Sequence, residues 1–207
     1  MTSARVLASL ALALLVACAT FQNPPPPGAE LPRVVLSDGA AMPLRRWLPV
    51  ATPRAVIVAL HGFTDHSGAF NDAAAQWAAR GFAVYAYDQR GFGASATRGV
   101  WAGRDVMVAD MKEMSARLRA QHPGAPLFLL GESMGAALLV TAFDDPDFPD
   151  TAGVVLVAPA VWGWRTLPRG AGPALRFLAR LMPAVGFGAS SSGSMASDNA
   201  TARQAMA

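Results

Sequence analysis

Gly131-Glu132-Ser133-Met134-Gly135 places a serine between two glycines, directly after the apolar run Leu127–Leu130 and before Ala136-Ala137-Leu138-Leu139-Val140. A buried strand, a sharp turn with serine at its tip and a helix form the layout of a nucleophile elbow. Such a turn strains the serine backbone and lifts the hydroxyl above the sheet edge. The flanking glycines fit a point where strand and helix run too close for side chains. A serine hydroxyl is a poor nucleophile at neutral pH and needs a base, together with donors for the oxyanion that forms. The N–H of Met134, at a helix N-terminus, supplies one donor. The second is expected from the loop His61-Gly62-Phe63-Thr64-Asp65-His66-Ser67-Gly68, with the N–H of Phe63 as the candidate. The base is harder to place, because no histidine follows His122.

The elements that must position these residues follow from the apolar pattern. Arg33–Ser37 and Pro43–Leu48 flank Asp38-Gly39 and read as a hairpin. Ala55–Leu60, Phe82–Tyr87, Leu127–Leu130 and Gly153–Ala158 read as strands buried on both faces. Helices are expected from about Ser67 to Arg80 and over Arg104–Gln121. Phe70, Ala74 and Trp77 line the first; Met107, Met111, Met114 and Leu118 line the second. Glu113 and Arg117 are spaced to pair on its outer face. The elbow helix runs to about Phe143. Alternation of this kind predicts an α/β domain, a mostly parallel sheet with helices on both faces.

Composition narrows the classes. The 207 residues are 53% hydrophobic and 15% charged, which argues against disorder. The basic residues are 16 Arg and the single Lys112, and the net charge is +3. Five Arg against one acid, Asp198, give residues 161–207 a charge of +4, which leaves −1 for residues 1–160. No basic cluster resembles a nucleic-acid footprint, so no nucleic-acid partner is expected. One cysteine excludes an intrachain disulfide and a Cys-based metal cluster. His61 and His66 with Asp65 are a poor ligand set, so neither a metal nor any other cofactor is expected.

Residues 1–18 read as a secretory signal: Arg5, then the apolar run Val6–Ala17. Twelve helical residues span roughly 18 Å, well short of a ~30 Å hydrocarbon core. Leu15-Val16-Ala17-Cys18 resembles the bacterial lipoprotein lipobox. That resemblance implies lipidation of Cys18 and membrane anchoring; Ala19, rather than Asp, points to the outer membrane and its periplasmic side. Residues 19–32, with Pro24–Pro27, read as a stiff tether.

Four motifs in order carry a wider resemblance over residues 33–207. They are His61-Gly62-Phe63-Thr64-Asp65-His66-Ser67, Asp88-Gln89-Arg90-Gly91-Phe92-Gly93, the elbow at 131–135, and Ala158-Pro159-Ala160. Together they resemble the α/β-hydrolase fold, and within it the monoacylglycerol lipase and lysophospholipase-like group often labelled serine aminopeptidase S33. Ser197-Asp198-Asn199 is similar to a short run in that group's lid. The resemblance implies Ser133 as nucleophile, with the Phe63 and Met134 amides as oxyanion hole. It implies a core over residues 33–160 holding the first six strands, and a lid beginning at residues 161–207. It implies ester hydrolysis, with lipid-like substrates such as monoacylglycerols or lysophospholipids; a peptidase is an alternative.

In that group the triad acid and histidine follow the lid. The expectation is therefore a fold incomplete at its C-terminus, lacking both, with doubtful activity of its own. Asp144, Asp145, Asp147 and Asp150 read as solvated loop charges. The resemblance implies structural roles for His61 and His66, and His122 reads as a capping or solvated residue. Asp88 and Arg90 read as braces of their loop. Trp162 and Trp164 read as lid packing or as the wall of an acyl pocket. A competing reading is a non-catalytic or incomplete membrane-anchored lipoprotein.

Overall fold

The Asp38-Gly39 turn joins β1 (Arg33–Val35) to β2 (Ala41–Trp47), antiparallel with Val35 opposite Ala41. Asp38 closes the turn by accepting the Ala40 N–H on its side chain at 3.0 Å. In this computed structural model, the structure describes residues 31–161 together with Pro173 and Phe177. The signal at 1–18 with Cys18, the tether before Leu31, Trp162, Trp164, Ser197-Asp198-Asn199 and the lid beyond Val161 lie outside the described residues.

Four more strands complete the described sheet: β3 (Ala55–Leu60), β4 (Phe82–Tyr87), β5 (Leu127–Glu132) and β6 (Gly153–Val157). The order is β1-β2-β4-β3-β5-β6. β2 meets β4 antiparallel, whereas β4, β3, β5 and β6 run parallel. β3 sits in the middle, with Val58, Ala59 and Leu60 fully buried, as a continuous apolar run requires.

Three α-helices cover the two faces. A 3-10 turn at Ser67–Phe70 leads into α1 (Asn71–Ala79). Phe70 and Ala74 pack on Ala59, Val84, Ala86 and Leu130, with Trp77 at the margin. On the other face lie α2 (Arg104–Gln121) and α3 (Met134–Ala142). There Met107, Met111, Met114 and Leu118 join Leu138 and Leu139 against Val58, Leu60, Tyr85 and Leu129. The mostly parallel sheet with helices on both faces is thus observed. Glu113 and Arg117 pair at 2.6 Å, as their spacing predicts.

Four local expectations need correcting, the first in β6, which is not buried on both faces: Val155, Leu156 and Val157 are all exposed. The first helix does not start as an α-helix at Ser67. The N–H and hydroxyl of Ser67 both donate to Asp88, at 2.8 and 2.5 Å, which draws the first turn tight against β4. Of the acids after α3, Asp144, Asp147 and Asp150 are exposed as expected, but Asp145 is part-buried. Asp145 accepts from Arg104 and Lys112 at 2.9 Å each, Asp147 pairs with Lys112, and Asp150 accepts from Arg119 at 2.7 Å. These pairs fasten the loop before β6 to α2. His122 is also not merely a cap, because its Nε2 meets the Tyr85 hydroxyl at 2.7 Å.

Candidate active site

β5 delivers the chain to Ser133 and α3 carries it away at once. Ser133 has φ 51 and ψ −108, a conformation that side chains other than glycine adopt only under strain. Both flanking glycines are required by close approach. A β-carbon on Gly131 would lie 2.5 Å from the Ala136 nitrogen, and one on Gly135 would run into the carbonyl of Leu60 in β3. Besides the Ala137 N–H, which donates to the Ser133 carbonyl at 3.0 Å from within α3, two backbone bonds hold the strained residue. The Ser133 N–H donates to the Val157 carbonyl at 2.9 Å, and the Ala160 N–H donates to the Ser133 carbonyl at 3.1 Å. The Ser133 side chain caps no helical N–H. Its hydroxyl has no hydrogen-bond partner among the described residues.

The loop after β3 runs alongside. A β-carbon on Gly62 would sit 3.3 Å from Cβ of Ser133 and 3.1 Å from Oε2 of Glu132. The Gly62-Phe63 backbone therefore borders the serine. Among the described residues, neither the Phe63 N–H nor the Met134 N–H has an acceptor. Thr64 follows with φ 64, a second strained residue in the same small region.

The histidines are engaged elsewhere. His61 is fully buried. Its Nδ1 lies 2.8 Å from the Gly62 carbonyl, and its Nε2 accepts the Gln89 N–H at 3.0 Å. Burial pushes its basicity down, so it remains neutral and tautomerically fixed. His66 accepts the Gly68 N–H at 2.9 Å and caps the 3-10 turn. Both histidines thus shape the loop, as the sequence suggested.

The loop after β4 is braced as expected. Asp88 is buried and takes the Ala94 N–H at 2.7 Å in addition to both Ser67 donors. Arg90 grips Asp110 with two bonds of 2.7 Å and reaches Asp38 at 2.6 Å. Among the described residues, no three His, Cys, Asp or Glu side chains gather closely enough to hold a metal ion.

Residues 51–207 match the family described as serine aminopeptidase, S33. The chain belongs to that S33 family. Human monoglyceride lipase is 36% identical over 137 residues, covering 65% of this chain and 45% of that protein. The monoacylglycerol lipase of Mycolicibacterium smegmatis is 35% identical over 117 residues, covering 56% and 41%. The chain therefore spans less than half the length of these curated relatives. Among solved structures, a soluble variant of Saccharomyces cerevisiae monoglyceride lipase in complex with a substrate analogue superposes with TM-score 0.60 at 22% identity. That match covers 79% of this chain and 55% of the other. An α/β hydrolase from Penicillium sp. sh18 gives 0.58 at 19% identity, covering 72% and 51%. The fold of this S33 chain is the α/β-hydrolase fold.

Two features of the site escaped the motif reading. Glu132 is half-buried beside Gly62, and burial followed by the charge of Asp65 pushes its carboxyl up. Ala158, with φ 44, turns the chain after β6 so that Ala160 reaches back to Ser133. The Ala158-Pro159 pair marked this turn only as a segment boundary.

Proposed function

We propose that the protein hydrolyses carboxylic esters of lipid-like alcohols or acids through an acyl-enzyme on Ser133. The observation that carries this reading is the strained Ser133, its hydroxyl without a partner among the described residues, at the start of α3 and beside Gly62-Phe63. In the reaction, Ser133 Oγ attacks the ester carbonyl carbon and its proton passes to a base. The carbonyl oxygen becomes an oxyanion, held by the Phe63 and Met134 N–H groups. Collapse breaks the ester C–O bond, the alcohol leaves with a proton, and water then releases the acid. Each oxyanion donor contributes about 3 kcal/mol to lowering the barrier. The similarity to monoglyceride lipases favours monoacylglycerols or lysophospholipids as substrates.

None of the three histidines is placed as the base. His61 has both ring nitrogens occupied, His66 caps a turn, and His122 is bonded to Tyr85. A second reading is a non-catalytic lipoprotein that keeps the elbow without turnover. A fluorophosphonate probe separates the two in protein expressed from the complete gene. Covalent labelling of the native protein and none of Ser133→Ala supports the esterase. Equal labelling of both, or of neither, removes it. Membrane attachment through lipidated Cys18 belongs to the same proposal. Metabolic incorporation of a fatty-acid label that Cys18→Ala does not diminish would remove that part.

A further inference from the structure

An aromatic ladder leads away from the serine along the loops at the top of the sheet. Phe63, one residue beyond Gly62, meets Phe92 edge to face at 5.4 Å between ring centroids. Phe92 meets Trp101 edge to face at 6.3 Å. The middle ring is buried at 8% exposure, while Phe63 and Trp101 are 61% and 54% exposed, and Val100 beside Trp101 is 57% exposed. Large apolar side chains set out in contact with one another, next to a reactive group, form a patch that solvation alone disfavours.

The ladder is built rigidly. The Gly91 carbonyl accepts the Gly99 N–H at 2.8 Å, and the Val100 carbonyl packs against the Cα of Gly91, where φ is 87. The Gly91 N–H reaches Thr97 Oγ1 at 3.1 Å, and the Phe92 N–H donates to Gln89 at 2.9 Å. Trp101 is thus held against Phe92 by backbone closure of the loop. On the other side His61 presses edge to face on Phe92 at 5.7 Å, tying the ladder to the loop that borders Ser133. Of the two cations in that loop, Arg90 is committed to Asp38 and Asp110, and Arg98 is exposed to solvent. Rings fixed before a ligand arrives lose little entropy on binding it.

We propose that Phe63, Phe92 and Trp101 form the platform on which the hydrocarbon chain of the ligand lies, and that Trp101 sets the preference for longer chains. The occupant is an alkyl chain because the ladder is apolar along its length and begins beside the serine. That this ligand is also the substrate rests on the Ser133 reading.

The test uses two uncleavable ligands, 1-O-butylglycerol and 1-O-dodecylglycerol, kept below micellar concentration. They are titrated calorimetrically into protein from the complete gene. The dodecyl ether should bind more tightly. Trp101→Ala should weaken it about tenfold, leaving the butyl ether unchanged. Trp101→Phe should restore most of the loss, and Trp101→Gln, similar in length but polar, should not. Equal loss for both ethers, no loss for either, or no chain-length preference in the native protein overturns the proposal. The last is also the result expected if residues beyond Val161 cover the rings. Ethers cannot acylate Ser133, so these affinities stand apart from the fluorophosphonate result: failed labelling removes the esterase and leaves the platform.

Discussion

The backbone N–H of Ser133 donates to the carbonyl of Val157 at 2.9 Å, so the end of β6 holds the turn that presents the hydroxyl. With Ala160 bonded to the Ser133 carbonyl, the end of β6 and the segment after it hold both peptide groups of the strained residue. The clamp uses only backbone atoms and survives any substitution at 133 other than proline. A β-carbon at φ 51 and ψ −108 costs of order 1–3 kcal/mol. Glycine removes that strain but loses up to about 1 kcal/mol to the greater entropy of the unfolded chain. Ser133→Gly should therefore be about 1 kcal/mol more stable than Ser133→Ala, read from urea unfolding. Equal midpoints would mean that the strain does not exceed the entropic cost of glycine, about 1 kcal/mol.

Gly135 is constrained by a different neighbour. Its missing β-carbon is where the Leu60 carbonyl passes, and Leu60 lies in the fully buried central strand. Backbone there cannot swing aside as a side-chain tip can. Gly135→Ala should cost about 2–3 kcal/mol by separating α3 from β3. A change of under about 0.5 kcal/mol in urea titration would show that the helix has room to shift.

These two residues also show what the sequence exposes and what it hides. The Gly131 contact with Gly135 and Ala136 arises within one strand–turn–helix unit, so local spacing reveals it, whereas the Gly135 contact with Leu60 joins α3 to a strand far back in the chain. The Met107–Leu118 stripe is likewise local, because helical periodicity turns it to one face. Lys112 and Asp145 are 33 positions apart, and Tyr85 and His122 are 37 apart; nothing near either residue announces its partner. The same holds for Val157 holding Ser133 and for Trp101 meeting Phe92. Order along the sheet decides such pairs, and the hydrophobic pattern specifies strands without specifying which loops meet above them. The tight 3-10 start at Ser67 had the same cause, a bond to Asp88 21 positions on.

Arg90 bonds two carboxylates of very different exposure. Asp110 is 4% exposed and Asp38 is 52% exposed. Burial raises the Asp110 carboxyl despite its contact with Arg90, which shows how strongly that carboxylate depends on the guanidinium. Asp110→Ala leaves Arg90 in a part-buried position with half its partners and should cost about 3 kcal/mol. Asp38→Ala breaks a solvent-screened pair and should cost under about 1 kcal/mol. Equal losses in the two variants would mean that burial does not set the strength of this brace.

Glu132 gives a pH signature. Burial first, then the negative charge of Asp65, push its carboxyl above the ordinary value, and the Gly62 backbone N–H offsets this only in part. A folded-state pKa above the unfolded one means that folding favours the protonated form. Its stabilising effect is complete below the unfolded pKa of about 4.3 and is lost as pH rises through the raised folded value. At neutral pH the ionised carboxylate is thus a net burden on the fold, carried beside the serine. Glu132→Gln keeps the shape and removes the titration. Relative to this variant, native protein should lose stability as pH rises from about 4 and reach a constant deficit once Glu132 is fully ionised. Asp65→Asn in the native background should shift that loss to lower pH and make it smaller, because the second cause of the shift is gone. Urea unfolding of the three proteins between pH 3.5 and 8 measures this. A gap that stays constant with pH, or a native protein that gains on Glu132→Gln as pH rises, would show that the carboxylate is satisfied in its charged form by Gly62 and solvent.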